Sequence, residues 1–344
     1  MTPARIEGKW IDLFARVFRL NGVQPGDACA VLSETQTRSD LPQLAELALL
    51  QLGARPFHLV MPARALQAPV PVRSTGASEA IGGLQPVIAA LAASRFIADC
   101  TVEGLQHAPE LPAILKGGAR VLAISHEHPE TLERGEPLAE DEAPVREAMR
   151  RLKSARQLQV QSAAGTDLHI ALAGARVGGV WGFSTRPGTL SHWPAGLVLA
   201  FPAAGAVQGR LVLDRGDVNL SFKRYLQDPV TLLIENDHVE RIDGRSVDAD
   251  LMRGYFEAWG DRSAYAVSHV GWGLNRRARW DAMLFHDKAE FNGTELRAFA
   301  GNFLYSTGAN EVAGRHTLGH FDLPMRGCTV KLDGVAVVEE GRLL

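Results

Sequence analysis

The fold class this sequence predicts is an α/β N-terminal domain with a doubly wound parallel sheet, followed by a mixed α+β domain rich in antiparallel strand. Three observations predict it. Short apolar runs alternate with amphipathic stretches over the first half. Beyond it, short strands are separated by Gly, Pro, Asn and Asp turns. A chain of 344 residues is also long enough for two cores. The expected domains are residues 1–157 and residues 158–344.

In the first domain, Ile6 to Leu20 carries Trp10, Leu13, Phe14, Val17 and Phe18 at the spacing of an amphipathic helix. Ala28 to Leu32 reads as a short strand, Leu41 to Leu52 as a helix and Phe57 to Met61 as a strand. A helix is expected from Ser78, a capping residue, to Ala93. Phe96 to Val102, Pro109 to Leu115 and Val121 to Ser125 continue as strand, helix and strand, and the charged stretch Glu140 to Ala155 closes the domain as a helix. Gly82-Gly83 and Gly117-Gly118 form no dinucleotide-binding turn, so a cofactor-free α/β domain is expected.

In the second domain, Leu158 to Val160, Leu168 to Leu172, Leu197 to Phe201, Gly209 to Leu213 and Val230 to Ile234 read as strands. Helical spacing returns at Val247 to Trp259 and Glu295 to Phe299. Cys328 to Leu332 and Val335 to Glu339, joined across Asp333-Gly334, carry a hairpin signal.

A net charge of -3 gives no electrostatic reason to expect nucleic acid or an anionic membrane as partner. No stretch approaches the roughly 18 apolar residues of a spanning helix, and the N-terminus lacks a leader pattern, so the chain reads as cytoplasmic. The three cysteines, Cys29, Cys100 and Cys328, are odd in number and set among apolar neighbours, which suggests small core residues rather than a disulfide framework.

The chemistry concentrates near the C-terminus. His320 and Asp322 are two residues apart, so on an extended strand both point to one face. Another histidine, His269, lies upstream in Ser268-His269-Val270-Gly271-Trp272-Gly273. Two imidazoles and one carboxylate with open positions are the ligand set of a non-haem Fe(II) oxygenase. The alternative is that the histidines are core residues and Asp322 is a cap or turn residue. His316 lies four residues before His320, but Gly314 and Gly319 disfavour a helix there, and it is left outside the set. His126 and His128 flank Glu127 on a loop expected to be solvated, and His286-Asp287 reads as a polar contact at a helix end.

Linked segments carry a resemblance. They are Leu190-Ser191-His192-Trp193-Pro194-Ala195-Gly196, Leu211-Val212-Leu213-Asp214-Arg215-Gly216-Asp217, the His269 segment, Arg297 to Gly308, and His320-Phe321-Asp322-Leu323-Pro324. In this order they resemble the 2,5-dihydroxypyridine 5,6-dioxygenases, Fe(II) ring-cleaving enzymes that share a fold with the aminopeptidase T-like metallopeptidases. The resemblance covers most of residues 156 to 340 and extends more weakly to Gln106-His107-Ala108-Pro109-Glu110. It implies Fe(II) held by His269, His320 and Asp322, with a small hydroxylated aromatic and O2 as reactants, and 2,5-dihydroxypyridine cleaved to N-formylmaleamate. It places His192 and His107 beside the substrate as acid–base candidates, His107 being equally readable as a loop residue. Trp193 and Trp272 are candidates for an aromatic wall, and Ser306 and Asn302 for hydrogen bonds to a ring substituent; plain core and turn roles are the alternatives. A homo-oligomer, a dimer or higher, is implied as well.

The chain departs from these patterns at two places. The aminopeptidase-type enzymes have a metal-bridging glutamate where this chain has Leu197, which argues for one metal rather than two. The dioxygenases carry an acid about a dozen residues before the His-Trp-Pro segment, where this chain has Gly179-Val180-Trp181-Gly182. The reading is an extradiol-type dioxygenase for 2,5-dihydroxypyridine. The alternatives are an aminopeptidase-type hydrolase, a dioxygenase for a related hydroxylated aromatic, or a binding protein that lost the chemistry.

Overall fold

Alternating helices and strands build the first layer of the computed structural model, which describes residues 5–64 and 77–344. A five-stranded parallel sheet runs in the order Arg55–Met61, Ala28–Glu34, Phe96–Asp99, Arg120–Ala123, Thr189–His192. Helices cover both faces. Gly8–Leu20 buries Trp10, Leu13, Phe14, Val17 and Phe18, and packs with Asp40–Gln51 on one side. Helices Gln85–Ala92 and Leu111–Lys116 close the other side over Ala30, Leu32, Ile97 and Val121. The strand order is 2-1-3-4-5 along the chain, a doubly wound arrangement whose ligands sit outside the carboxyl ends of the strands.

The last strand of this sheet comes from beyond residue 157: Thr189–His192 pairs in parallel with Arg120–Ala123. Two elements are shorter than the sequence pattern suggests. The helix expected from Ser78 begins only at Gln85, because Gly82 and Gly83 have φ of 57° and 73°, while the Ser78 hydroxyl donates to Glu34 instead of capping. The strand from Phe96 ends at Asp99, whose buried carboxylate accepts the backbone N–H groups of Thr101 and Leu105 and turns the chain.

The second half forms a sandwich of two antiparallel sheets. One runs His238–Asp243, Val230–Glu235, Val207–Leu213, Asp167–Ala171, Gln157–Ser162, Cys328–Leu332, Val335–Glu339, Arg342–Leu343. The other runs Phe321–Met325, Phe303–Thr307, Val267–Gly273, Leu197–Phe201, Arg176–Val180. Leu158, Val160, Leu168 and Leu211 of the first meet Val198, Val270, Trp272, Tyr305 and Leu323 of the second in the largest core. Pro324 sits in an outer strand, where a missing N–H is tolerated. Helix Val247–Trp259 and the C-terminal hairpin occupy the expected ranges. The cysteines are buried free thiols. No helix among the described residues is long and apolar enough to cross a membrane.

Candidate metal centre

Neighbouring strands of the second antiparallel sheet, Val267–Gly273, Phe303–Thr307 and Phe321–Met325, bring the ligand candidates into one row. The register pairs His269 with Ser306 and Ser306 with Asp322. Val270, Tyr305, Phe321 and Leu323 point into the sandwich core, so alternation turns His269, Ser306 and Asp322 to the opposite face. A register shift between Val267 and His269 marks a bulge at Ser268, which lets Val267 and Val270 both reach the core while His269 faces out. His320 enters just before its strand. Its backbone N–H donates to the Tyr255 hydroxyl at 2.8 Å, and its carbonyl accepts from Ser221 at 2.7 Å.

The Asp322 carboxylate lies between the two imidazoles. His269 Nε2 is 3.6 Å from Oδ1 and His320 Nε2 is 3.2 Å from Oδ2. Metal–ligand bonds of about 2.0–2.2 Å at angles near 90–110° separate neighbouring donors by about 3–3.5 Å, so each imidazole stands near donor distance from the carboxylate, one ring to each oxygen. The two ring centroids are 5.9 Å apart. Ser268 donates to the Ala309 carbonyl and therefore accepts from His269 Nδ1 at 3.0 Å, which leaves the Nε2 lone pair free toward Asp322. Burial lowers the His269 pKa to about 4, against the opposing pull of Asp322, so the ring is a neutral donor at pH 7. Burial raises the Asp322 carboxyl, but Arg297, His320 and His269 outweigh it and hold the group well below the usual range.

Arg297 is the partner that fixes this carboxylate. It lies on the short helix Thr294–Ala298, donates from Nε to Asp322 Oδ2, and donates from Nη1 to Asn292 Oδ1 at 2.7 Å. Ser306 donates to the other oxygen, Oδ1. Glu127 of the first domain accepts the N–H groups of Gly293 and Thr294 at 3.0 and 2.6 Å and so anchors the start of that helix. Glu127 and His126 are buried, not solvated as the sequence suggested, because they close this seam; the second ring nitrogen of His126 meets the Ala289 carbonyl.

The parallel sheet supplies the opposite wall from its carboxyl ends. The His107 ring is 6.1 Å from His269 and 5.8 Å from His320 between centroids, facing both histidines. Burial, then the two neighbouring histidines, push its pKa well below normal. His192, the last residue of its strand, meets Gln106 Oε1 at 2.7 Å, so its proton sits on Nε2 and Nδ1 is left as a base. Burial lowers its pKa to about 4, with Arg297 adding to the effect. On the flank, Phe201 lies 5.3 Å from the His269 ring, and Arg176 covers its outer face at 4.8 Å.

Several candidates lie elsewhere. Trp193 is fully buried against Phe14 in the first domain, its indole N–H donating to the carbonyls of Leu132 and Gly135. Trp272 sits in the sandwich core, on the face of the sheet away from His269. Asn302 accepts from the Gly273 N–H and donates to the Arg297 carbonyl, a turn role. Leu197 and Val180 belong to an apolar cluster with Leu199, Ala298 and Leu304. Sequence analysis gives no role to Arg297, Ser268, Gln106 or Tyr255; the first three lie within the resembling segments, but nothing local marks Asp322 as the distant partner of Arg297.

A His/Glu/His cluster with metal-capable donors exists apart from this row at His128, Glu130 and His286, whose donor atoms lie within 4.8 Å of one another. The two rings are stacked at 4.1 Å and 15°, and His128 Nδ1 already accepts the Glu130 N–H.

Comparisons with known proteins give the family. Residues 9–344 match the family model NicX, 2,5-dihydroxypyridine 5,6-dioxygenase. The 2,5-dihydroxypyridine 5,6-dioxygenase of Pseudomonas putida KT2440 is 37% identical over 335 residues, covering 96% of this chain and 94% of that one. The solved structure of 2,5-dihydroxypyridine dioxygenase from Pseudomonas putida KT2440 superposes with a TM-score of 0.93 at 34% identity, over 99% of this chain and 98% of the other. Wild-type AmpT from Thermus thermophilus, 15% identical with a TM-score of 0.65 over 97% and 98% of the chains, shares the fold alone. Matched over nearly its whole length, the chain belongs to the family of ring-cleaving 2,5-dihydroxypyridine 5,6-dioxygenases.

Proposed function

We propose that this chain uses Fe(II), held by His269, His320 and Asp322, to cleave 2,5-dihydroxypyridine with O2 to N-formylmaleamate. The observation that carries the reading is the row of His269, Ser306 and Asp322 with His320 beside it, which sets two imidazole nitrogens 3.6 and 3.2 Å from one buried carboxylate. Fe(II) bound there would supply an electron path between dioxygen and an electron-rich ring.

The chain's own residues supply the rest. His107, neutral and facing both ligand histidines, accepts a hydroxyl proton as the ring binds. His192 holds a basic Nδ1 on the same wall, its ring oriented by Gln106, and serves the later proton transfer. Ser306 and Arg297 keep the carboxylate in one orientation. Two rows from the ligands, Leu199 and Leu304 flank Gly271 on the same face and give an apolar floor that excludes water. Leu197 in that floor argues against a two-metal hydrolase, since an isobutyl group cannot bridge metals. The active unit is a homo-oligomer in the cytoplasm, a dimer or larger.

Anaerobic reconstitution with Fe(II), followed by oxygen-electrode measurement with 2,5-dihydroxypyridine, tests the reading. One O2 is expected per ring opened. A protein that binds one iron per chain and consumes no O2 with this substrate would refute it.

A further inference from the structure

Lys223 is a buried cation that the reading above leaves unused. It stands in the turn between Val218–Asn219 and Arg224–Tyr225, is 7% exposed, and adopts a φ of 50°, a backbone state that side chains other than glycine rarely occupy. Lysine is almost never buried unless paired. Its ammonium donates to the backbone carbonyl of Asn292 and lies 5.6 Å from the centre of the Phe291 ring.

Asn292 is the hub of a relay. Its side-chain oxygen accepts from Arg297 Nη1 at 2.7 Å, its amide donates to the Val102 carbonyl of the first domain at 3.0 Å, and Arg297 Nε reaches Asp322 Oδ2. The chain of contacts therefore runs Lys223, Asn292, Arg297, Asp322. Around it the first domain places two carboxylates, Glu103 and Glu127, that act on both Lys223 and Arg297. Two cations thus serve three carboxylates in one buried seam. Without the ammonium, Glu103 and Glu127 compete with Asp322 for Arg297, and the Asn292 carbonyl loses its donor.

We propose that Lys223 is a positioning residue for the metal-binding carboxylate: it balances the seam acids and pins Asn292, so that Arg297 stays on Asp322. This rests on the reading that Asp322 is a metal ligand.

The test compares wild type with Lys223→Met, which keeps the stem and removes the charge. Fe(II) affinity is measured anaerobically by chelator competition, and the absorption spectrum of the Co(II)-substituted protein reports ligand geometry. Lys223→Met is expected to keep wild-type circular dichroism, to bind Fe(II) about 10–100-fold more weakly, as for the loss of other outer-shell partners, and to show an altered Co(II) spectrum. Its kcat should fall more than its KM rises, since no substrate contact is removed. Wild-type affinity and an unchanged Co(II) spectrum in Lys223→Met would overturn the assignment while leaving the iron site standing. Absence of Fe(II) binding by the wild type would instead overturn the reading of the site. If Lys223→Met does not fold, Asn292→Ala cuts the relay one link nearer the metal and must give the same two changes; wild-type values there overturn the proposal.

Discussion

Replacing Arg297 with methionine removes the cation that holds Asp322 and keeps most of the apolar stem. The side chain of Asp322 is 4% exposed, so its charge is left inside the protein with the Ser306 hydroxyl and the imidazoles of His269 and His320 around it. Breaking a buried ion pair by removing one member costs about 3–5 kcal/mol. With an unfolding entropy of about 2.1 cal/mol/K per residue, that is a fall in Tm of about 4–7 °C for a chain of this length. A bound divalent ion neutralises the same carboxylate, so the loss should shrink to about half or less once metal is added. The acid side of metal binding should move as well. Arg297 is among the groups holding Asp322 well below the usual carboxylate range, so without it the ligand protonates, and releases metal, at higher pH. Thermal melts of the apo and Zn(II)-loaded forms of both proteins measure this directly. An apo variant melting within 1 °C of wild type, or a deficit of equal size with and without metal, would refute the electrostatic reasoning.

Other perturbations separate the roles of the remaining groups. His192→Ala should retain its metal and lose about two to four orders of magnitude in turnover, the usual share of a general acid–base; unchanged turnover at saturating substrate would remove it from the chemistry. Ser268→Ala should weaken metal binding by about 10–100-fold, because His269 loses the acceptor that fixes its tautomer; equal affinity in chelator competition would show that the tautomer needs no such help. Metal-free protein should lose stability as pH falls from about 6.5 toward 4. Burial holds His128, His192, His269 and His286 to pKa values of about 4, so the unfolded chain binds more protons in that window and stability rises with pH across it. A Tm independent of pH between 7 and 4.5 would contradict that burial.

The elements that the sequence made legible are those whose pattern is set by a local period. Helix Val247–Trp259 and the hairpin across Asp333-Gly334 fall where periodicity and turn chemistry put them. Strand Arg176–Val180 was missed because it is glycine-containing, half-exposed and at a sheet edge, with too little apolar alternation to register. Thr189–His192 escaped for another reason: four residues carry almost no period, and only its parallel pairing with Arg120–Ala123 makes it part of the first sheet.

The site divides in the same way. His320 and Asp322 could be paired from their spacing, and parity along a strand already separates His269 from Trp272. Three positions apart with no further bulge, they must face opposite sides of the sheet, and the tryptophan falls to the core. The partners of Asp322 follow no such rule. Arg297 reaches it from a five-residue helix whose start is anchored by Glu127, a residue of the other domain. That helix is too short to hold its own geometry. Its orientation, and through Arg297 that of the carboxylate, is therefore set by how the loops at the carboxyl ends of the parallel sheet close on residues 289–294. Local sequence specifies the donors of this centre; the docking of one half of the chain on the other decides how they are held.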